Sequence, residues 1–335
     1  MNDEEQAVDA SLRDDPQNIE ALVRKAELRE SAGDDRAANS FYQAALKAAA
    51  LAQPLPAAMR DPVTRAQAGV ARGLAYFERS LKQSLERAGL PESRRPPRFQ
   101  ESLELMLGRK QAAWGIQKPS SYYFPGLPQR RYYERSELPW AAAIEAAVPA
   151  IRQELSDRLA AGADEFVPYL TSDPSRPRTE FHGLLDNPEW STLYLWQNGG
   201  PVEANAAHFP RTLDALSKLD LAHISVRAPS ILFSRLSSGA RIPPHHGVMN
   251  ARMICHLPLI VPPGCGFSVG GETREWREGE LLAFDDTVEH EAWNNGSDDR
   301  IILIFDVWKP EIDPEERRAI AALFEAVDSY SRPKA

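Results

Sequence analysis

Hydrophobic and polar positions divide this 335-residue chain into three zones. From about residue 15 to 90, apolar residues recur at helical spacing among Ala, Leu, Glu, Arg and Lys, which predicts packed α-helices. The stretch Gly89-Leu-Pro-Glu-Ser-Arg-Arg-Pro-Pro-Arg98 then opposes continued helix and reads as a linker. Trp140 to Leu159 reads as an amphipathic helix with Ile144, Val148, Ile151 and Leu155 on one face. From Trp190 onward short β-type runs dominate, among them Thr192-Leu-Tyr-Leu-Trp, Met253 to Val261, Glu280-Leu-Leu-Ala-Phe and Arg300 to Val307, separated by Gly, Pro, Asn and Asp turns. That spacing suggests a sandwich or jelly roll. Asp313-Pro314 starts a last helix, over about 314–330, with Asp as N-cap and Pro at the first position. The expectation is an α+β chain: an all-α domain over 1–95 and a β-rich domain over 96–335 with its core at about 190–312.

In the helical zone, Leu22, Ala26, Gly33, Ala38, Tyr42 and Ala45 resemble a single tetratricopeptide repeat, with small residues where two antiparallel helices cross and Gly33-Asp34 at the turn. A lone repeat cannot bury its own face, so helices over roughly 62–90 are expected to cap it. An ordinary helical hairpin without a partner fits the same residues equally well. The formal charge of −9 argues against a general nucleic-acid or anionic-membrane binder. The two cysteines, Cys255 and Cys265, make no metal-binding pair and read as reduced thiols of a cytoplasmic protein. The acidic N-terminus lacks the basic and apolar regions of a signal peptide, and no run approaches transmembrane length.

Candidate chemistry concentrates in the β zone. His245, His290 and Arg300 all fall there, and two imidazoles with a guanidinium nearby suit an Fe(II) site that holds a keto-acid and admits oxygen. The histidines taken singly read more simply as satisfied polar residues in loops. His246 rivals His245 as a ligand. Asp285, Asp286, Glu289 and Glu291 read as turn and supporting contacts, some orienting His290. Trp276, Trp293 and Trp308 read as core residues, and Arg130-Arg131-Tyr132-Tyr133 as a solvated basic turn rather than a groove lining.

The stretch Phe233-Ser-Arg-Leu-Ser-Ser-Gly-Ala-Arg-Ile-Pro-Pro-His245, followed by Asn250, Arg252, His256-Leu-Pro-Leu-Ile-Val-Pro-Pro-Gly-Cys, Trp276, Glu278-Gly, Phe284-Asp-Asp, Glu289-His-Glu-Ala-Trp and Arg300 to Trp308, closely resembles the catalytic domain of the aspartyl/asparaginyl β-hydroxylases. The likeness is strong over about 230–312 and weaker over about 122–229, where Phe124-Pro-Gly-Leu also fits. It implies a double-stranded β-helix, a Fe(II)/2-oxoglutarate-dependent dioxygenase and tetratricopeptide-like helices upstream. Carried across, it makes His245 and His290 the iron ligands. It gives Arg300 and Ser234 the distal carboxylate of 2-oxoglutarate, and His256 the cosubstrate near its metal-binding end, with Arg252 also counted among the cosubstrate-binding residues. The implied substrate is an aspartyl/asparaginyl-type residue of a peptide or protein, or a related amino acid, and the helices become a candidate site for a peptide partner.

Two departures mark this chain. Gly247 stands where the usual iron triad has a carboxylate, which agrees with the β-hydroxylases but also with iron halogenases, so hydroxylation or halogenation of a small molecule stays open. Peptide-modifying members have Arg-x-His where this chain has Ile254-Cys255-His256, leaving Arg252 on the same face at another depth and placing recognition of an acidic side chain in doubt. A metal-independent cupin-like binding module remains a further reading.

Overall fold

The structure is a computed structural model that describes residues 3–52, 54–162, 165–173, 177 and 182–330. The chain forms two compact units. The first holds Met1–Pro91, Ser172–Glu180 and Glu325–Ala335; the second holds Glu92–Thr171 and Phe181–Phe324.

The first unit contains α1 (Asp3–Asp14), α2 (Ile19–Ser31), α3 (Asp35–Leu51) and α4 (Arg60–Arg87). Asn18 caps α2 by accepting from Ala21 N, and Asp34 caps α3 by accepting from Ala37 N. Between them Gly33 takes φ +78° and reverses the chain, the left-handed conformation that favours glycine. Leu22, Val23, Ala26, Phe41, Tyr42, Ala45 and Ala66 form the core of this unit. Gly69 lets α4 lie on the Tyr42 ring, since a Cβ there would stand 2.3 Å from Tyr42 Cε2. The helix α1 was not foreseen because it docks through charge: Lys25, buried in α2, binds Glu5 at 2.9 Å and Asp9 at 2.6 Å.

The second unit opens with α5 (Pro97–Met106), so the linker expectation gives way at Pro97, a proline in the first turn of a helix. The helix expected over 140–159 is divided into α6 (Ala141–Ala146) and α7 (Val148–Ala160), and short helices α8 (Glu203–Ala206) and α9 (Pro210–Leu216) follow later. The strands are β1 (Tyr132–Tyr133), β2 (Val167–Pro168), β3 (Trp190–Gln197), β4 (Gly200–Pro201), β5 (Ile231–Leu236) and β6 (Arg241–His245). They continue with β7 (Arg252–Ile260), β8 (Cys265–Val269), β9 (Glu272–Arg274), β10 (Leu282–Phe284), β11 (His290–Asn294) and β12 (Arg300–Trp308). The larger sheet runs β1-β10-β7-β12-β5-β3-β2, with β4 on β3, and the smaller runs β6-β11-β8-β9. All the named strand pairs are antiparallel. The last helix, α10 (Pro314–Tyr330), starts on Asp313, whose side chain accepts from Glu315 N and Glu316 N.

Period-two alternation sorts the larger sheet into two faces. Met253, Cys255, Leu257, Leu303, Phe305, Val307, Phe233 and Leu193 pack outward with Ile144, Val148, Ile151 and Leu155, the helix face foreseen from the sequence. Trp190, Leu236, Ile254, Ile302 and Phe284 point inward and meet Phe267, Val269 and Ala292 of the smaller sheet. This is the two-sheet jelly roll of an α+β chain. Among the described residues no helix is long and apolar enough to cross a membrane.

Candidate active site

Strand register carries the site. The smaller sheet pairs β6 with β11 so that His245 and His290 stand directly opposite, their ring centroids 4.0 Å apart. Each Nδ1 contacts a backbone carbonyl two residues back, His245 on Pro243 O at 2.8 Å and His290 on Val288 O at 3.0 Å. A carbonyl only accepts, so Nδ1 carries the proton and Nε2 presents its lone pair, the arrangement by which a backbone carbonyl orients a ligating imidazole. Burial holds both rings neutral: it pushes His290 down to about 3, with His245 adding to the effect, and lowers His245 as well.

Across the chamber the inward residues of β5, β7 and β12 supply the other groups. Ile304 is in register with His256 and Ile302 with Ser234, so Ser234, His256 and Arg300 share one face. Arg300 is 1% exposed, its guanidinium lies 4.7 Å from the Trp276 ring centroid, and its Nε and Nη1 have no partner in the protein. Burial alone pushes this arginine down to about 10. Ser234 Oγ accepts from Trp190 Nε1 at 3.3 Å, which leaves its hydroxyl proton to donate. His256 sits 4.8 Å from Phe284 and 5.0 Å from Phe267, with Nδ1 unpartnered, and burial lowers its pKa well below the usual value. The two faces converge: Phe284 is also 5.3 Å from His290, and Trp190 is 6.2 Å from His245.

Arg252 lies at the other end of the same face. It binds Asp306 at 2.5 Å and Asp286 at 3.4 Å, so it is separated from Arg300 by the length of the strand. Asp286, expected only as a turn and supporting contact, closes on Gly247. A Cβ on Gly247 would stand 2.1 Å from Asp286 Oδ2, so this carboxylate fills the room that a side chain at 247 would need. The carboxyl is buried, its Oδ1 has no protein partner, and desolvation pushes it up to about 6. Phe284-Asp-Asp signalled an acidic turn, but not that it folds back onto Gly247.

The neighbouring Asp285 anchors a buried polar network. Lys309 Nζ donates to it at 2.5 Å and Gln117 Nε2 at 2.6 Å, while Thr287 Oγ1 donates to its other oxygen at 2.5 Å. Asn250 donates to Gln117 Oε1 at 3.0 Å. The segment from Gln117 to Tyr122 then straps both histidine-bearing turns, with Lys118 N donating to Thr287 O, Ser120 N to Gly247 O and Tyr122 N to Val248 O. Nothing in the sequence pattern marked Lys309 or Gln117. Glu289 is exposed, and Glu291 pairs with Arg241 at the surface, so neither joins the chamber. Trp276 and Trp308 are buried as expected, whereas Trp293 is half-buried under Arg241. Tyr132 and Tyr133 are buried in the two cores rather than part of a solvated turn.

Among the described residues no group of three or more His, Cys, Asp or Glu side chains is placed to hold a metal. His245 and His290 are the two neutral imidazoles that could hold one. Nitrogen donors that leave most positions open fit Fe(II), and a buried guanidinium without a counter-charge fits a carboxylate bound beside it.

The fold and the site together define a double-stranded β-helix domain with a two-histidine centre between its sheets. Residues 145–310 match the sequence model of the family described as aspartyl/asparaginyl β-hydroxylase. The chain belongs to that family. It is 31% identical over 205 residues to the ornithine lipid ester-linked acyl 2-hydroxylase of Rhizobium tropici, covering 60% of this chain and 68% of that protein. It is 32% identical over 205 residues to the aspartyl/asparaginyl β-hydroxylase of Mus musculus, covering 60% of this chain but only 28% of that protein. The chain spans 35% of the human protein of the same name. Among solved structures, the Schizosaccharomyces pombe Cnp3 cupin domain aligns at a TM-score of 0.25 and 7% identity over 36% of this chain and 66% of that one. A likeness that distant has no bearing on function.

Proposed function

We propose that the chain is an Fe(II)/2-oxoglutarate-dependent dioxygenase that hydroxylates an aspartyl/asparaginyl-type residue or a related amino-acid substrate. The observation that carries this reading is Arg300: a buried cation with unpartnered donors, in the same chamber as two neutral, oriented imidazoles. An isolated buried charge is costly, and a carboxylate ligand that accepts from it offsets that cost. His245 and His290 would hold the metal through Nε2; Arg300 and Ser234 would take the distal carboxylate of 2-oxoglutarate; His256, neutral and with Nδ1 unpartnered, would face the cosubstrate.

Iron with 2-oxoglutarate and O₂ would supply the oxidising chemistry, turning the cosubstrate into succinate and CO₂ while a substrate C–H becomes C–OH. The protein's part is to orient and to exclude water. The Pro243 and Val288 carbonyls fix the two imidazole planes, and Phe267, Phe284, Trp276 and Trp190 wall the chamber. Asp286 favours hydroxylation over halogenation, since a halide beside Gly247 would meet a carboxylate rather than a vacancy.

The name of the Rhizobium relative supports a second reading, hydroxylation of an acyl chain. A metal-independent cupin-like module has less in its favour, because it gives no role to an uncompensated Arg300. The cytoplasm is the proposed location, and a peptide the proposed partner of the helical unit. The test is succinate formation from 2-oxoglutarate under air with Fe(II). His245→Ala and His290→Ala are each expected to abolish it, and full activity in either variant contradicts the assignment.

A further inference from the structure

Gln117 lies outside residues 145–310, and its side chain is fully buried beside the histidine centre. Its Nε2 donates to Pro128 O at 3.1 Å and to Asp285 Oδ2 at 2.6 Å. Its Oε1 accepts from Asn250 Nδ2 and from Gln129 Nε2, each at 3.0 Å. A carboxamide has two N–H donors and two lone pairs, so every hydrogen bond this side chain can make is in use. Its orientation is fixed from both ends. Pro128 O can only accept, which places the Gln117 NH₂. Phe124 N donates to Asn250 Oδ1 at 2.6 Å and Phe124 O accepts from Asn250 Nδ2 at 2.9 Å, which turns the Asn250 NH₂ toward Gln117 Oε1.

The two ends of this amide reach the two histidine-bearing turns. Asp285 opens the turn that closes with Val288 N donating to Asp285 O at 3.1 Å, and its Oδ1 also accepts from Thr287 N at 3.0 Å. That turn presents Val288 O, the acceptor of His290 Nδ1, and Gln117 pairs with Val288 directly as an antiparallel bridge. Asn250 ends the segment that begins at His245 and includes Gly247, whose N donates to Asp286 O at 2.6 Å. From this juxtaposition we infer that Gln117 is a positioning residue: one neutral amide spans the two turns and sets the separation of the two ring nitrogens that would take the metal. The inference deepens the metal-binding reading of His245 and His290 and rests on it. Glutamate at 117 would set a second carboxylate against Asp285, and a cationic side chain would offer Asn250 and Gln129 no acceptor. Asparagine keeps the donors and acceptors but, one methylene shorter, cannot reach Asp285 and Asn250 together. Hydrogen bonds that hold the partners of ligating imidazoles govern how well their lone pairs converge on one ion.

The test uses the full chain and Co(II) alone as the probe, without oxygen or 2-oxoglutarate. Titration reads the affinity, and the visible ligand-field band at saturation reads the geometry of the donors. Gln117→Asn is expected to bind Co(II) roughly tenfold more weakly or worse and to shift the band even when every site is filled. A residue needed for stability alone would lower the urea midpoint and leave the saturated band where it was. A second variant, Gln129→Ala, acts from the exposed side of the network and removes one of the four bonds together with the acceptor of Gln117 N at 3.1 Å. It is expected to stay folded and to lose more than about threefold in Co(II) affinity. Affinity within about threefold and an unchanged band in folded Gln117→Asn overturn the inference. If that variant does not fold, an unchanged affinity and band in Gln129→Ala overturn it instead. A lack of Co(II) binding by the unsubstituted protein is a different result, and sinks the two-histidine metal reading itself.

Discussion

A methyl group at position 247 would stand 2.1 Å from Asp286 Oδ2, and that contact governs what the residue can become. Gly247→Asp restores the composition of a two-histidine, one-carboxylate triad, yet the space is already taken by a carboxylate. The substitution is expected to weaken Fe(II) affinity by roughly tenfold or more through displacement of Asp286 and the adjoining turn, measured by metal titration under nitrogen. Tighter metal binding in the variant would show that the two carboxylates do not compete. Asp286 is also kept at a cost. Burial pushes its pKa up from 3.8 to about 6, so folding favours the protonated form. Its stabilising contribution is therefore complete below pH ~4 and is lost as pH rises through about 6. Asp286→Asn removes a penalty of at most about 3 kcal/mol in the metal-free protein at pH 7.5, and the gain fades near pH 4. Urea unfolding at the two pH values checks this; a loss of stability at pH 7.5, or an equal gain at both, contradicts it.

At the scale of elements, the strap from Gln117 to Tyr122 and the Lys309–Asp285 pair hold the two histidine-bearing turns together. Both members of the pair are fully buried, so truncating one leaves an uncompensated charge. Lys309→Met is expected to lose roughly 3–5 kcal/mol, with part regained in the double variant Lys309→Met/Asp285→Leu. Equal stability of the single variant and the unsubstituted protein, by chemical denaturation, would show the pair to be replaceable. In the helical unit, Gly69→Ala forces a Cβ into the Tyr42 ring and is expected to destabilise that unit by about 1–3 kcal/mol. Its 2-oxoglutarate affinity should be unchanged, which calorimetric titration would read directly. The helix α1 and the breaks at α5 and α6 escaped the hydrophobic pattern for physical reasons. The first docks by burying Lys25 against Glu5 and Asp9, and the second starts on Pro97. Pro149 sits in the first turn of α7, where a proline is tolerated because its missing N–H is an orphan.

Across the whole molecule, the helical zone, the β zone and the residues of the histidine centre were legible because each rests on local spacing or on a motif. Alternation along β12 already separates Arg300, Ile302, Ile304 and Asp306 from Ile301, Leu303, Phe305 and Val307, and the structure turns that alternation into a chamber and an outer core. What the chain did not disclose depends on pairing between distant segments. The opposition of His245 and His290 needs the β6–β11 register, and the role of Asp286 needs its turn to close on Gly247. The commitment of Arg252 to Asp306 needs β7 beside β12. Long-range register is set by the packing of both faces together, which no single stretch of sequence contains.

Two neutral histidines and an uncompensated arginine are proposed to receive iron and a keto-acid together. Anaerobic addition of Fe(II) and 2-oxoglutarate tests this most directly, through the visible metal-to-ligand charge-transfer band of a chelated keto-acid. The band is expected in the full chain, with decay and succinate formation on exposure to oxygen, and is expected to be absent from His290→Ala. A folded, iron-loaded protein that shows no band with 2-oxoglutarate would contradict the account.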